Sequence, residues 1–512
     1  MKKVTTLFLG LCIAGSLSQA QEKATYYKFT DIPVPLNAIS ENGEWVGGSF
    51  EGAVFVHNTI SHQTQDLSQE NYNFDIISGV SNDGTFVGTH GITIGEAGAA
   101  YNKNGEWTLL ETLNGYMAGG GMAISADSKI IVGCISGEMG SDNPVIPVVW
   151  RLQGDNTYKI EALPYPEKDI FGMTSQGVVA LDLTFDGSVI IGRFTDYTSF
   201  YEQPIIWTLG ANNTYSYKLM GDEVLYNLDQ TNPGKAFLFD DYVTAKEGTP
   251  EYFEQYAEWK EECNNRDELM DLFLTNTYFG RTYKLNADAS RILVTTKKEV
   301  QEDPEDPFSV YDLISPYCFN LESKTAISYP YNANACAITN SGKIIYATPA
   351  GGMFNEAFII DEGASEGTPL NEWLKSVYNL DIDEELTIDI QGEQKIVTGN
   401  VILNKSEKAF ISSFWDGPSM SFSNYLVKLP EPITPTSIET SRDSEIKIYL
   451  NGKSVAIEGN VTSIQLTDIS GKTVYQAQNR NNADLNFLSS GVYIIKATAD
   501  SGKVILRKIA LR

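Results

Sequence analysis

The sequence predicts an all-β protein: a β-propeller of about seven blades with a small helical insertion, followed by a C-terminal β-sandwich of the immunoglobulin-like kind. Three observations predict it. A turn phrase recurs along the chain, an apolar strand phrase follows each turn, and the composition changes near residue 430. We divide the 512 residues into a signal peptide at 1–20, the propeller at 21–430, a linker at 431–440 and a C-terminal domain at 441–512.

The turn phrase is a small or polar residue, a short turn that usually contains glycine, and then an apolar run. It is clearest at residues 39–47 and 80–88, and further copies lie at 124–133, 183–192, 286–290, 338–342 and 389–392. Asn-Gly and Asp-Gly supply the positive φ angles of tight hairpin turns, and the β-branched run after them forms a buried strand. Each copy therefore predicts one hairpin, at a pitch of about 40–60 residues, which is close to that of propeller blades.

A second phrase, an apolar strand often centred on an aromatic residue, follows each turn. A unit of about four strands cannot bury its apolar face alone and must stack on its neighbours. A third phrase, a strand that runs into Leu-Pro or Ile-Pro, occurs at 27–33, 158–164 and 425–430. Because one copy precedes the first turn and one follows the last, the two ends of the propeller are expected to meet in one blade and hide its sheet edges. A long array of β-sandwiches is the alternative.

This pattern resembles the extracellular β-propeller repeats whose signature is an Ile-Asn/Ser-x-x-Gly turn followed by a His-Ala-Phe-like strand. The resemblance covers roughly residues 25–430. The histidine of the second motif is absent from every copy here. The resemblance therefore implies the fold and no particular activity.

One segment, from about Thr249 to Gly280, changes to a helical period. Tyr252, Tyr256 and Trp259 fall on one face of its first helix. We interpret this aromatic stripe as packing against the propeller. The alternative is a lid or docking surface over the ring, which makes these three residues weak candidates for ligand binding.

The segment after the proline-rich linker contains short strands and turns that predict a small β-sandwich. Its motifs are Asp-x-x-Gly-Lys-x-Val, then Leu-x-x-Gly-Val-Tyr, then a basic-apolar end, and they include Asp468, Gly471, Lys472, Gly491, Val492, Tyr493 and Lys508. They look like the type A C-terminal sorting domain of the type IX (Por) secretion system, over residues 436–512. The resemblance implies the type IX machinery as a partner and a final location that is secreted or on the outer-membrane surface.

The N-terminus has the pattern of a secretory signal peptide. Lys2 and Lys3 precede an apolar run, and Ser18-Gln19-Ala20 fits a cleavage site, so we expect the mature chain to begin near Gln21. No later stretch reaches the ~20 apolar residues that span a bilayer. The formal charge of −29 leaves no broad basic surface, which argues against nucleic acid and anionic membranes as partners.

Four cysteines follow the predicted signal peptide: Cys134, Cys263, Cys318 and Cys336. They have no CxxC spacing, so they predict neither a disulfide framework nor a zinc module. A bridge between Cys318 and Cys336 and a set of buried free thiols remain the two alternatives.

Few residues suggest chemistry. His57 and His62 are expected to flank a hairpin turn, which makes them weak metal candidates, with His90 as the remaining histidine. Asp381 and Asp383 lie in an acidic cluster. We interpret this cluster as a solvated surface, and the alternative is the carboxylate pair of a glycosidase. No cofactor is predicted, and calcium stays open as a ligand of axial carboxylates.

Two functions fit these observations. The first is a secreted or cell-surface propeller that binds an extracellular glycan or protein without catalysis. The second is a secreted hydrolase of glycans or peptides that uses carboxylates at the mouth of the propeller. Two acids converging with aromatic residues in a deep pocket would favour the hydrolase.

Overall fold

The computed structural model of the protein describes residues 23–93, 95–137, 143–167, 175–196, 201–219, 245–246, 248–255, 257–258, 275–276, 283–301, 310–321, 325–329, 332–351, 354–390, 392–416, 421–434, 447–451, 454–458, 461–468, 472–478, 480, 482–485, 487–489, 491–499 and 504–511. Backbone contacts divide the chain into two compact units, Met1–Pro430 and Glu431–Arg512. We describe each unit by itself.

In the described part of the first unit, six four-stranded antiparallel sheets and one five-stranded sheet form blades 1 to 7. Blade 1 consists of β2 (Leu36–Ile39), β3 (Trp45–Phe50), β4 (Ala53–Asn58) and β5 (Gln63–Asp66). Blade 2 consists of β6 (Ile76–Val80), β7 (Phe86–His90), β8 (Gly98–Lys103) and β9 (Glu106–Leu109). Blade 3 consists of β10 (Tyr116–Ile124), β11 (Ile130–Gly137), β12 (Ile146–Leu152) and β13 (Tyr158–Ala162).

The next three blades follow in chain order. Blade 4 consists of β14 (Ser175–Leu183), β15 (Val189–Asp196), β16 (Tyr201–Leu209) and β17 (Tyr215–Leu219), with a short β18 (Thr275–Asn276) paired to β16. Blade 5 consists of β19 (Tyr283–Leu285), β20 (Arg291–Gln301), β21 (Val310–Asn320) and β22 (Thr325–Ser328). Blade 6 consists of β23 (Asn334–Ile338), β24 (Ile344–Gly351), β25 (Phe354–Ile360) and β26 (Thr368–Pro369).

Blade 7 joins the two ends of the propeller. Its strands are β29 (Asn400–Leu403), β30 (Ala409–Asp416), β31 (Ser421–Lys428) and, from the start of the chain, β1 (Thr25–Phe29). β1 pairs antiparallel with β31, with Thr25 opposite Lys428 and Phe29 opposite Asn424. The innermost strand of each blade contacts the next blade, and β2 contacts both β29 and β30, so the ring is closed. The prediction of a β-propeller whose ends meet in one blade is confirmed.

Each blade begins with a four-residue turn between its first two strands, and these turns form one face of the propeller, the turn face. The opposite end is the loop face. The fourth turn residue has a positive φ of 54–85° in every blade: Gly43, Gly84, Ser128, Gly187, Ala289, Gly342 and Glu407. The first turn residue, a Ser, Thr or Asn, accepts a hydrogen bond of 2.9–3.2 Å from the start of the second strand. At the turn, this bond to a side chain takes the place of a backbone hydrogen bond between the two strands. The first residue of the turn phrase is therefore polar.

The prediction of a blade turn at residues 389–392 is wrong. Residues 389–392 join a separate hairpin, β27 (Thr387–Ile390) with β28 (Glu393–Ile396), between blades 6 and 7. The seventh turn is Asn404–Glu407, where Glu407 takes the position of the glycine with a φ of 59°. This turn joins β29 to β30, so residues 409–411 lie in the second strand of their blade.

Helices are short in the described residues. α1 (Leu370–Tyr378) follows blade 6 and buries Leu370 and Leu374, and α2 (Asp383–Leu386) leads into β27. Residues 250–255 and 257–258 are helical, in agreement with the helical period predicted there. Tyr256 lies outside the described residues, as do residues 259–274 and 277–280 of the predicted helical segment, which include Trp259.

The second unit contains two antiparallel sheets. One consists of β32 (Lys447–Asn451), β33 (Ser454–Glu458) and β36 (Asn482–Asp484), and the other of β34 (Val461–Asp468), β35 (Thr473–Gln478), β37 (Gly491–Ala499) and β38 (Val504–Leu511). Buried residues of both sheets, such as Val455, Ile464 and Ile495, share one core. A small two-sheet domain is therefore present, and its immunoglobulin-like topology stays a prediction.

Candidate ligand-binding cleft

A cleft of about 670 Å³ opens on the loop face where blade 7 meets blade 1. Its residues come from the inner strands, from the loop-face ends of β3, β30 and β31, and from blade 6: Pro35, Leu36, Asn37, Phe50, Asn355, Gly399, Asn400, Ile402, Ser413, Phe414, Trp415 and Phe422. The bond from Leu36 N to Ser413 Oγ, 2.8 Å, holds the two blades together beneath it. The cleft thus exists because the two ends of the propeller sequence meet.

Aromatic rings line the cleft. The rings of Trp415 and Phe422 meet edge to face with centroids 5.0 Å apart, and Phe50 meets Phe422 at 5.6 Å. Phe50 is 48% exposed, although large apolar side chains are usually covered. Trp415 and Phe422 end one strand and begin the next, so the antiparallel register of β30 and β31 places them opposite each other. Exposed aromatic faces in a concave site are typical of ligand-binding pockets.

Three amides surround the aromatic residues. The oxygen of Asn37 accepts bonds from the N and Oγ of Ser49, and Asn355 Nδ2 donates to Asn400 Oδ1 at 3.2 Å. Within the described residues, this leaves the Nδ2 groups of Asn37 and Asn400 as donors and Asn355 Oδ1 as an acceptor. The described lining of this cleft carries no ionisable side chain. Such a surface suits a neutral ligand with hydroxyl groups, which both donate and accept hydrogen bonds.

A second pocket, of about 570 Å³, shares Phe422 with the cleft. Lys28, Asp31 and Asp416 are in its lining, so it is charged where the cleft is neutral. Asp31 accepts a hydrogen bond from Thr64 Oγ1. We call the two pockets the inner and the outer pocket.

His57 lies behind Thr64 and is connected to Asp31 through it. Because Thr64 donates its hydroxyl proton to Asp31, its oxygen accepts from His57 Nδ1 at 2.7 Å, which places the imidazole proton on Nδ1. Burial lowers the pKa of His57, and Nε2 is buried without a described partner. The rings of His57 and His62 lie 6.3 Å apart. No group of three or more metal-ligating side chains occurs in the described part of the chain.

The turn face is closed at the axis by an ion pair. Lys405 of blade 7 reaches across to Asp182 of blade 4 at 2.6 Å and donates to the carbonyl oxygen of Leu285 in blade 5 at 3.1 Å. Burial alone would raise the pKa of Asp182, but the Lys405 ammonium lowers it. Glu41 lies beside them and accepts from Ser406 N at 3.0 Å, and burial raises the pKa of Glu41 to about 7. The cavity at this end measures only about 100 Å³, so this cluster closes the ring and leaves little room for a ligand.

His90 forms a separate cluster on blade 2. It stacks between Tyr72 and Trp107, with centroids 4.5 and 5.3 Å away, and its Nδ1 bonds to the buried Asp75 at 2.9 Å. Burial raises the pKa of Asp75, whose second oxygen has no described partner. With both faces of the imidazole covered, this cluster holds the loop between β7 and β8.

The sequence-predicted candidates lie elsewhere. Asp381 and Asp383 both pair with Lys375 of α1, at 2.6 and 3.6 Å, and Asp383 also accepts from Asn371 at 2.7 Å. Neither lines the inner or the outer pocket. Tyr252 packs edge to face on Phe253 within the helical segment. These contacts join α1 to the residues that follow it and pack side chains within the helical segment near residue 250.

The cysteines that the structure describes are free thiols. The bridge between Cys318 in blade 5 and Cys336 in blade 6 is therefore not formed. The alternative of free thiols is correct, with Cys318 buried and with Cys134 and Cys336 partly buried. Burial raises the pKa of Cys318 to about 12 and that of Cys336 to about 11, which keeps both protonated. Cys263 lies outside the described residues.

The sorting motif maps onto one sheet of the second unit. Asp468 ends β34 opposite Tyr493 of β37, and Lys508 of β38 lies opposite Ile494. The Tyr493 hydroxyl donates to the Ser489 carbonyl at 3.0 Å, which fixes the turn before β37. Gly491 and Val492 begin β37, Lys472 is exposed, and Gly471 lies outside the described residues.

The fold and the second unit define an exported β-propeller. Residues 442–512 match the secretion system C-terminal sorting domain, so the chain carries a type IX sorting domain that directs it to the cell surface or the extracellular space. No helix of the described residues is long and apolar enough to cross a membrane.

Comparison with other proteins adds little beyond this. None of the curated proteins matches the chain. Among solved structures, the chain is similar to an oligogalacturonate lyase in complex with manganese, at 9% identity and a TM-score of 0.42, over 80% of this chain and 97% of that one. It is also similar to the β-propeller domain of the Trilobed protease from Pyrococcus furiosus, at 10% identity and a TM-score of 0.33, over 89% and 98%. The fold assignment rests on the sheet topology above.

Proposed function

We propose that this protein is an exported, non-catalytic β-propeller that binds a neutral glycan in the inner pocket on its loop face. The observation that carries the proposal is the combination of exposed aromatic rings with amides and no ionisable side chain in the described lining. The sorting domain supports the extracellular location where such a ligand is met.

The chemistry of sugars fits this lining. A sugar ring has an apolar face of C–H groups that packs on the face of an aromatic residue, and hydroxyl groups at its edge that bond to amides. The acidic chain, at −29, repels polyanionic glycans. A neutral glycan therefore agrees with both the local and the global charge.

The predicted alternative is a hydrolase, and the outer pocket is the observation that favours it. Asp31 and Asp416 both line this pocket, and a glycosidase needs two carboxylates across the bond that it cleaves. Asp31, however, is already hydrogen-bonded to Thr64. Release of reducing ends from a bound polysaccharide, lost in Asp31→Asn and Asp416→Asn, would support the hydrolase and contradict the binder.

The test is binding of the mature chain to an array of neutral and acidic polysaccharides, followed by titration calorimetry. Trp415→Ala is expected to weaken binding by tenfold or more, since truncating a central aromatic anchor costs about 2 kcal/mol. Asn400→Ala, at an exposed position, removes one donor and is expected to weaken binding less.

Phe185→Ala is the matched control, because Phe185 is an aromatic residue 36% exposed on the turn face. It should leave the affinity unchanged. Binding that Trp415→Ala and Asn400→Ala leave intact, with melting temperatures equal to that of the wild type, would locate the ligand elsewhere. No binding to any polysaccharide would remove the glycan proposal.

A further inference from the structure

We infer that the ligand is a linear chain of several sugar units, laid from the axis to the rim of the ring across Phe422, and not a single sugar. This inference rests on the proposed function and deepens it. It follows from the way in which the inner and outer pockets are connected and from the strands that they touch.

Phe422 lines both pockets. The cavities of about 670 and 570 Å³ therefore border the same ring. In this proposal they are two parts of one groove, in which Phe422 forms a ridge. A ligand confined to one sugar would occupy one side and leave the other to water. A chain can pass over the ridge and fill both sides.

The direction of the groove is set by the strand order of blade 7, which is β29, β30, β31 and β1 from the axis outward. The inner pocket includes Asn400 of β29, and the outer pocket includes Lys28 of β1. The groove thus crosses all four strands. Three strand spacings amount to about 14 Å, which is longer than one sugar ring.

The chemistry changes along the groove. The inner pocket offers aromatic rings, whose contacts favour stacking. The outer pocket offers the exposed side chains Lys28, Thr30 and Asp31, which bond to hydroxyl groups in competition with water. We therefore expect the inner pocket to supply most of the affinity and the outer pocket to add a smaller increment for each further unit.

The experiment measures the affinity of the mature full chain for cello-, xylo- and manno-oligosaccharides of one to six units. In the series that binds, the affinity should rise over the first three or four units and then level off. Thr30→Tyr, which fills the outer pocket, should leave the affinity for one or two units unchanged and reduce the gain from longer chains three- to tenfold. Thr25→Tyr is the matched control, since Thr25 is an exposed threonine on β1, the strand that leads to Thr30, and does not line the pocket.

The outcomes separate the two proposals. A length-independent affinity that Trp415→Ala abolishes would overturn the chain-length inference and leave the glycan-binding function standing. A gain with length that Thr30→Tyr does not reduce would overturn the assignment of the outer pocket. If none of the three series and no polysaccharide of the array binds, both proposals fail together.

Discussion

Ala289, Ser128 and Glu407 hold positive φ angles at the turn position where the other four blades have glycine. A side chain with a Cβ atom is strained in this region, and glycine is not. These three turns form nevertheless, because the side chain of the first turn residue and the pairing of the two strands fix the corner. The turn is thus determined by more than its glycine.

Replacement of Ala289 by glycine tests this strain. Ala289→Gly should stabilise the protein by about 0.5–1 kcal/mol, because it removes the strain at a φ of 54°. Urea unfolding, followed by tryptophan fluorescence, measures the change. Ala287→Gly, two residues earlier and without a positive φ, should lower the stability instead. Equal effects of the two substitutions would show that backbone strain at residue 289 is negligible.

Glu41 should make the stability of the protein depend on pH, because burial raises its pKa from 4.5 to about 7. Between these values the folded protein holds a proton that the unfolded chain has released, so stability falls as the pH rises from 4.5 to 7. Glu41→Gln keeps an oxygen for Ser406 N and removes the charge. Its stability relative to the wild type should therefore rise across this interval, by about 2 kcal/mol.

Urea unfolding at pH 5, 6, 7 and 8 provides the measurement for Glu41. The comparison between variant and wild type isolates this carboxyl group from others, such as Asp75, whose pKa is also raised. Glu70→Gln, at an exposed position, should run parallel to the wild type. If the Glu41→Gln profile is parallel as well, the Glu41 carboxyl does not titrate in this range.

Strand β1 closes the ring. It covers β31 over Thr25–Phe29 and buries Phe29 against blade 1. A mature chain that starts at Asp31 should lose at least about 3 kcal/mol of stability, through the loss of a buried phenylalanine and of five residues of strand pairing. It should also associate, because the edge of β31 becomes exposed.

Thermal unfolding and size-exclusion chromatography test this prediction. A chain that starts at Ala24, which retains all of β1, is the control. Equal melting temperatures for the two chains, with both monomeric, would mean that the closing strand contributes nothing to the ring.

Most turns were predictable because the phrase is local: a polar first residue, a residue that tolerates a positive φ, and an apolar strand. The seventh was missed because Glu407 stands where a glycine was expected, and the Gln391-Gly392 pair offered a false match. The helical segment near 250 was predicted from its period alone. Glycine marks a positive φ but is neither necessary nor sufficient for a blade turn.

The cleft was not predictable in the same way. Its residues come from positions 35–50, from Asn355 and from 399–422, and no local pattern connects these segments. Trp415 and Phe422, two aromatic residues that flank one loop, were the available signal. The Asp381 and Asp383 cluster attracted attention through its charge, and the structure shows that both carboxylates pair with Lys375 of α1.

The protein combines a closed ring with a separate sorting domain. The neighbouring turns are hydrogen-bonded around the ring, for example Asn42 to Asn82, Asn82 to Ala126 and Asn340 to Glu407. Lys405 and Asp182 connect opposite sides. These connections join blades that are neighbours and blades that face each other across the ring, in addition to the packing between similar modules.

The contact between the last blade and blade 1 determines when the inner pocket can form. Because the inner pocket takes residues from both blade 1 and the last blade, no fragment of the propeller contains it, however many blades that fragment includes. A chain in the course of synthesis, or one truncated by a premature stop, carries no partial affinity for the ligand. Recognition begins in one step, when the final hairpin has been completed and has met the first strand.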